Sequence, residues 1–333
     1  MQRLLQLQFS FAQSRILTTA LQLRVFSHIA AGNGTCAAIA RAAGASERGT
    51  RMVLDALVAL DLLDKKDDAY TLPSFSANHL VRESPDYMGY IMESEALWTA
   101  WNHLTESVRT GKPYVAIDQE REAEEFFPVL VRGLHVTNRE PARRLAEALG
   151  AGRSRRGLRV LDVACGSGVW GIAVAQADPE TRLTAQDFPA MLELTRQFLD
   201  RHGVTARCDF LPGDVKSVDF GEARYDLVLL GNIVHSEGER SARDLFKRLH
   251  RALRPGGRIA ILDMIPNSNR TGPLFPLLFA LNMLVNTDDG GTYTLAEYTQ
   301  WLNAAGFHQI ETVDIGSHSP AIIATRDEQR LNR

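Results

Sequence analysis

The stretch that most constrains the fold is RVLDVACGSGVWGIAVAQADP, residues 159 to 179. A strand-like apolar run enters a turn carrying Gly166, Gly168 and Gly171, and a helical pattern leaves it. The same alternation continues downstream. LTAQD, CDFLPGD, DLVLLG, RIAILDM, a stretch near IETVDI, and AIIATR read as further strands, seven with the first. AMLELTRQFLDRHG and SARDLFKRLHRALRPGG read as helices between them. Strands alternating with helices predict an α/β domain with a mainly parallel sheet covered on both faces. Ligands of such sheets sit beyond the carboxyl ends of the strands, so those ends are where chemistry is sought.

The chain before this pattern reads as helical. SRILTTALQLRVFSHIA places Ile16, Leu17, Ala20, Leu21, Val25 and Ile29 near helical spacing. CAAIARAAG is a short helix stopped by Gly44. SERGTRMVLDALVALDLL follows, with Ser46 as N-cap and Met52, Leu54, Leu57, Val58 and Leu60 as apolar contacts. DKKDDAYTL then reads as a hairpin, completing a winged-helix order. A DNA-reading helix needs side chains for phosphates and base edges. Its exposed start here offers Arg48 and Arg51 beside Glu47 and Asp55, so packing or dimerisation is the expected role. Three segments are expected: a winged-helix dimerisation domain over 1–84, a helical linker that contributes to an acceptor pocket over 85–150, and a catalytic domain over 151–333. The glycine-rich joint GAGRSRRG opens the last.

Composition narrows the partners. The 333 residues are 45% hydrophobic and carry a net charge of −3, with no basic excess to attract nucleic acid or anionic lipid. Cys36, Cys165 and Cys208 form neither a CxxC nor an even disulfide set, which fits a reducing compartment, the cytoplasm. The N-terminal MQRLLQLQFSFAQSRI is interrupted by polar residues and does not read as a signal peptide. GPLFPLLFALNMLV is too short to span a bilayer.

Three strand ends carry carboxylates. Asp187 follows the glycines by about 20 residues, where an acid suits the two hydroxyls of a ribose. That much is shared with dinucleotide-binding folds. Asp162, just before the glycine loop, is not: a pyrophosphate would bring negative charge there, and a carboxylate suits a cationic amino group better. Asp214, at the third strand end, is placed to accept from an adenine amine. These acids, with no basic residue in the loop, point to a nucleoside with a positive end. S-adenosyl-L-methionine has an ammonium and a sulfonium.

VLDVACGSG, QDFP, GD, GNIVH and LRPGG together resemble the class I S-adenosylmethionine-dependent methyltransferases. The helical front end resembles the small-molecule O-methyltransferases with an N-terminal dimerisation domain. The resemblance implies a Rossmann-like sheet, a homodimer, a small-molecule acceptor, S-adenosyl-L-homocysteine as product and no metal. It matches the glycine-rich first motif to Asp162, Ala164, Gly166 and Gly168, with alanine at 164 where a glycine is more usual. Asp187 matches the ribose-binding acid, and Phe188 a position flanking the adenine. Asp214, with Val215 after it, matches the adenine-contacting acid; Gly231 and Asn232 match positions beside the methionine part.

His235, in GNIVHSEGER, matches the histidine that takes the proton of the acceptor hydroxyl. A phenol with a pKa near 10 needs such help at neutral pH, and an unperturbed histidine titrates near 6.5. Relatives continue with Asp-Trp, where this chain has Ser236 and Glu237. Many also orient the histidine with a glutamate in the segment that here reads GGTYT, where Thr292 and Tyr293 stand. Asp263 and Glu237 are the candidate substitutes. Met88, Met92, Trp98, Phe275, Phe279, Met283 and Tyr293 are candidates to line an apolar acceptor pocket. Three rival readings stand beside O-methylation: carbon or nitrogen methylation or a non-methylating activity on the same scaffold; a metabolite-sensing winged-helix regulator; and a nicotinamide dehydrogenase, disfavoured by Asp162 and Asp214.

Overall fold

The computed structural model describes residues 1–93, 95–114 and 120–327, with backbone alone for 120–127 and 129. Two compact units make up the chain, Met1–Ala96 and Leu97–Arg333.

The first unit holds α1 (Gln2–Gln22), α2 (Val25–Ala30), α3 (Cys36–Ala42), α4 (Glu47–Ala59), the hairpin β1 (Asp64–Lys66) and β2 (Ala69–Thr71), α5 (Ser74–His79) and α6 (Gly89–Met92). The run from Ser14 to Ala30 is not one helix. Arg24 adopts a left-handed φ of 54° and separates α1 from α2. The break turns the chain so that Val25, Phe26 and Ile29 join Ala20 and Leu21 in one core with Leu54, Leu57 and Tyr70. Thr35 and Ser46 cap α3 and α4 through their hydroxyls. Met52 faces solvent rather than the core, because Leu54 and Leu57 define the buried stripe. The first half of α1 finds no cover within this unit: Leu4, Leu7, Phe9 and Phe11 are each more than 60% exposed.

The second unit follows from α7 (Glu95–Asn102), inside which the boundary falls. Then come α8 (Leu104–Thr110), α9 (Glu120–Ala148), β3 (Arg159–Val163), α10 (Val169–Ala177), β4 (Arg182–Asp187), α11 (Pro189–Arg201), β5 (Cys208–Pro212) and β6 (Tyr225–Gly231). The chain continues through α12 (Glu239–Ala252), β7 (Leu253–Leu262), α13 (Leu274–Asn286), α14 (Leu295–Ala305), β8 (Phe307–Val313) and β9 (Ala321–Arg326). The sheet order is β5-β4-β3-β6-β7-β9-β8, parallel except for β9, which runs against both its neighbours.

Side-chain alternation builds a core on each face. Val160, Leu227, Leu229 and Ala260 meet residues of α9, α10 and α11 such as Leu145, Trp170 and Phe198. Leu161, Val228, Leu230 and Ile259 meet Leu245, Phe246, Tyr298 and Trp301 of α12 and α14. Being buried on both faces explains why these strands read as continuous apolar runs. The order reverses direction between β3 and β6, so a crevice opens beyond their carboxyl ends.

Candidate active site

The loop from β3 to α10 is shaped by three left-handed residues in alternation: Ala164 (φ 47°), Gly166 (φ 54°) and Gly168 (φ 70°). Glycine adopts this region freely and alanine does so at a cost, so Ala164 stores strain where the loop turns. A side chain at Gly166 would press on Val131 of α9, its Cβ 3.1 Å from a valine methyl. One at Gly231 would collide with the Trp170 indole. Val131 and Trp170 already fill the space that a side chain would need at these two glycines.

Side chains tie the three strand ends together. Asp187 Oδ2 accepts from the Gly166 amide at 2.8 Å, and its Oδ1 from the Phe188 amide at 2.8 Å. Burial lifts its carboxyl to about 6, against the pull of those two amides. Gln186 accepts from the Ala164 amide at 3.1 Å and donates to the Gly213 carbonyl at 2.6 Å. Thr195 of α11 donates to the Gly166 carbonyl at 2.6 Å. Sequence reasoning passed over Gln186 and Thr195; the available signal was a glutamine directly before an acidic strand end and a threonine on the inner side of a helix.

Asp162 is wholly buried. Its Oδ2 accepts from the Gly171 amide at 2.9 Å, while Oδ1 has no hydrogen-bond partner. Burial raises this carboxyl to about 8, helped by the nearby charge of Asp187 and opposed by the Gly171 amide. Phe188 is the N-cap of α11 and packs half-buried on the core. Asp214 is half-buried and closes its own turn, Oδ1 accepting from the Lys216 amide at 2.8 Å. Val215 is buried, and its carbonyl accepts from Arg248. Gly231 ends β6, and Asn232 takes a left-handed φ of 58° with its amide bonded to the Leu262 carbonyl at 2.8 Å.

His235 stands on the single 3-10 turn Val234–Ser236 and is buried. Parallel pairing of β6 with β7 brings Asp263 alongside it. The Asp263 carboxylate receives His235 twice: Nδ1 lies 2.6 Å from Oδ1 and the backbone amide 3.0 Å from Oδ2. The Met264 amide adds a bond to Oδ1 at 2.7 Å, and the Tyr298 hydroxyl one to Oδ2 at 3.0 Å. The Gly291 amide holds the His235 carbonyl at 2.8 Å. A carboxylate against Nδ1 selects the tautomer with its proton there, which leaves the Nε2 lone pair as the basic site.

Of the two candidate acids, Asp263 is the one against the imidazole. Glu237 bonds Ser241 and lies 3.8 Å from Lys216. Tyr293 does not reach His235 either; its hydroxyl donates to the Glu237 carbonyl at 2.7 Å. Burial, with the charge of Asp263 next in weight, pushes that phenol up to about 12. Thr292 is buried, and its hydroxyl has no hydrogen-bond partner.

The Phe279 ring of α13 meets His235 in a T-shaped contact, centroids 4.8 Å apart at 82°. Phe275 lies one turn earlier, stacked on His318 at 4.1 Å. Met283, one turn later, is buried. Trp98 is half-buried on α7. Met88 caps α6 in the first unit, where Met92 packs against the core. Among the described residues, no three His, Cys, Asp or Glu stand close enough to hold a metal, and no helix is long and apolar enough to cross a membrane.

Residues 101–308 match the O-methyltransferase domain family. The chain belongs to this family. Residues 5–82 match the O-methyltransferase dimerisation domain. The methyltransferase is 30% identical over 315 residues to the 3-hydroxy-5-methyl-1-naphthoate 3-O-methyltransferase of Streptomyces sahachiroi, covering 92% of this chain and 89% of that one. It is 31% identical over 319 residues to the tetracenomycin polyketide synthesis 8-O-methyl transferase TcmO of Streptomyces glaucescens, covering 94% and 93%. Among solved structures it resembles human N-acetylserotonin methyltransferase in complex with S-adenosylmethionine, with a TM-score of 0.85, 25% identity, and 98% and 97% coverage. The enzyme is an S-adenosylmethionine-dependent methyltransferase. The site fits that cofactor: the unpartnered Asp162 Oδ1 is a buried acceptor suited to an ammonium.

Proposed function

We propose that this enzyme methylates a hydroxyl of a small aromatic or polyketide-like metabolite by direct displacement, with His235 as general base. The observation that carries the reading is the Asp263 carboxylate 2.6 Å from His235 Nδ1, inside a buried turn beyond β6. It fixes the ring and leaves Nε2 to take the acceptor proton. Bound S-adenosylmethionine supplies a sulfonium methyl group that an oxygen nucleophile can displace. Asp162 would receive its ammonium, Asp187 its ribose hydroxyls, and Asp214 with Phe188 its adenine. The reading needs no metal, because proton removal is assigned to His235. Phe279 offers an aromatic ring beside the imidazole, against which a planar phenol packs well. The named activities of the two Streptomyces relatives support an acceptor of that class.

We assign the working state as a homodimer joined through the first unit. The uncovered apolar side chains of α1 and the match to a dimerisation domain support it.

The test of the base uses methyl-labelled S-adenosylmethionine and a panel of phenols that includes hydroxynaphthoates, read by mass spectrometry. On the acceptor that turns over, His235→Ala leaves cofactor binding intact and lowers turnover by about 10²–10⁴-fold near neutral pH. The deficit shrinks as pH rises towards the pKa of the acceptor, which then ionises unaided. Wild-type turnover in the variant would remove His235 from the mechanism.

A further inference from the structure

Tyr298 is fully buried on α14, beside the Tyr293 and Trp301 rings. A phenylalanine would fill that apolar site without a polar atom to satisfy. The hydroxyl therefore has to be explained by its partner, Asp263 Oδ2 at 3.0 Å. Asp263 accepts in all from the His235 ring, the His235 amide, the Met264 amide and Tyr298. Among the described residues, Tyr298 is the one side chain other than His235 that donates to it.

We propose that Tyr298 is a positioning residue for methyl transfer: its hydroxyl fixes the Asp263 carboxylate and thereby sets how strongly that carboxylate holds the Nδ1 proton of His235. The inference rests on the reading of His235 as base. Two effects follow from the geometry. Oδ2 is pinned from the α14 side, so the carboxylate cannot rotate away from the imidazole. The negative charge is also shared with a neutral donor, so less of it falls on the ring. Burial and the Asp263 charge hold the Tyr298 phenol well above its ordinary range, so it remains a donor at working pH. Of the other charged and titratable groups near this turn, Asp289 lies beside Gly238 and Glu239 pairs with Arg243 at 2.8 Å. Glu237 faces Lys216 and Ser241, Tyr293 donates to the Glu237 carbonyl, and Glu297 pairs with Arg270 at 2.9 Å.

Tyr298→Phe removes one oxygen from a site whose shape it keeps. A carboxylate that loses a donor concentrates its charge on the donors left, and it then binds an imidazolium more tightly. The acid limb of the pH–rate profile, measured on the fastest hydroxynaphthoate of the panel, should move to higher pH by about half to one unit. Michaelis constants stay unchanged, and turnover on the acid side falls several-fold. The ¹⁵N NMR titration of the His235 ring in cofactor-free protein should move the same way without any acceptor. In an Asp263→Asn background the second substitution should shift neither measurement further, because its path runs through Asp263. Circular dichroism and calorimetric binding of S-adenosylmethionine establish that each variant is folded. Profiles and titrations superimposable on wild type, or an equal shift in both backgrounds, would overturn the inference while leaving the base intact. Unchanged turnover in His235→Ala would overturn the base reading and this inference with it.

Discussion

Asp162→Asn should make the cofactor-free protein more stable and a poorer binder of its cofactor. The carboxyl is completely buried and its folded-state pKa is about 8, against an ordinary 3.8. Below about pH 4 it is protonated in both states, and its burial costs little. As pH rises towards 8, the unfolded chain ionises and the folded carboxyl does not. The native state then loses about 1.4 kcal/mol per pH unit, reaching about 4 kcal/mol at neutrality. Asparagine keeps the shape and can accept from the Gly171 amide, but never ionises. Its amide nitrogen occupies the place of the unpartnered Oδ1, a pH-independent cost of about 1–3 kcal/mol. The net difference at one pH is therefore modest, and its slope is the diagnostic quantity. Urea unfolding of wild type and variant from pH 5 to 7 should show the stability difference growing in favour of asparagine by about 1.4 kcal/mol per unit. A flat difference across that range would refute the reasoning. In calorimetry the same variant should bind S-adenosylmethionine more weakly by about 1.5–3 kcal/mol, the worth of a hydrogen bond to a charged group.

Asp187→Ala should weaken S-adenosylmethionine binding by a similar 1.5–3 kcal/mol, and calorimetry that finds unchanged affinity would reject its ribose role. Deleting residues 2–14 should remove the uncovered apolar side chains of α1 and convert dimer to monomer, read by light scattering. A monomeric intact chain at micromolar concentration would contradict the assembly. Ala164→Gly should relieve the left-handed strain at φ 47° and stabilise the fold by about 1 kcal/mol, seen as a rise in urea midpoint; a fall would show that the methyl group packs favourably.

The centre of the sheet was legible because RVLDVA, DLVLLG, RIAILDM and AIIATR are short apolar runs bounded by turn residues. The acidic strand ends were legible for the same reason: once the strands are drawn, their ends are marked. The break at Arg24 was not, since neither glycine nor proline announces it and the driving force is the shared core of α1 and α2. Asp263 could be named only as one of two candidates beside Glu237. The choice depends on β6 lying next to β7, which brings Asp263 to His235 across 28 residues. Tyr298 gave no signal, because a tyrosine in an amphipathic helix reads as core until its hydroxyl is seen to meet a carboxylate.

The parts that hold His235 and the aromatic ring packed against it come from different stretches of chain. Asp263, Gly291 and Tyr298 grip the imidazole turn from β7, the loop after α13, and α14. Phe279 comes from α13, a separate helix with Pro273 as N-cap and Thr287 as C-cap. On the proposed reading, in which Phe279 meets the acceptor and His235 takes its proton, selection and activation can diverge separately, and exchanging α13 should change the substrate range with the proton chemistry retained.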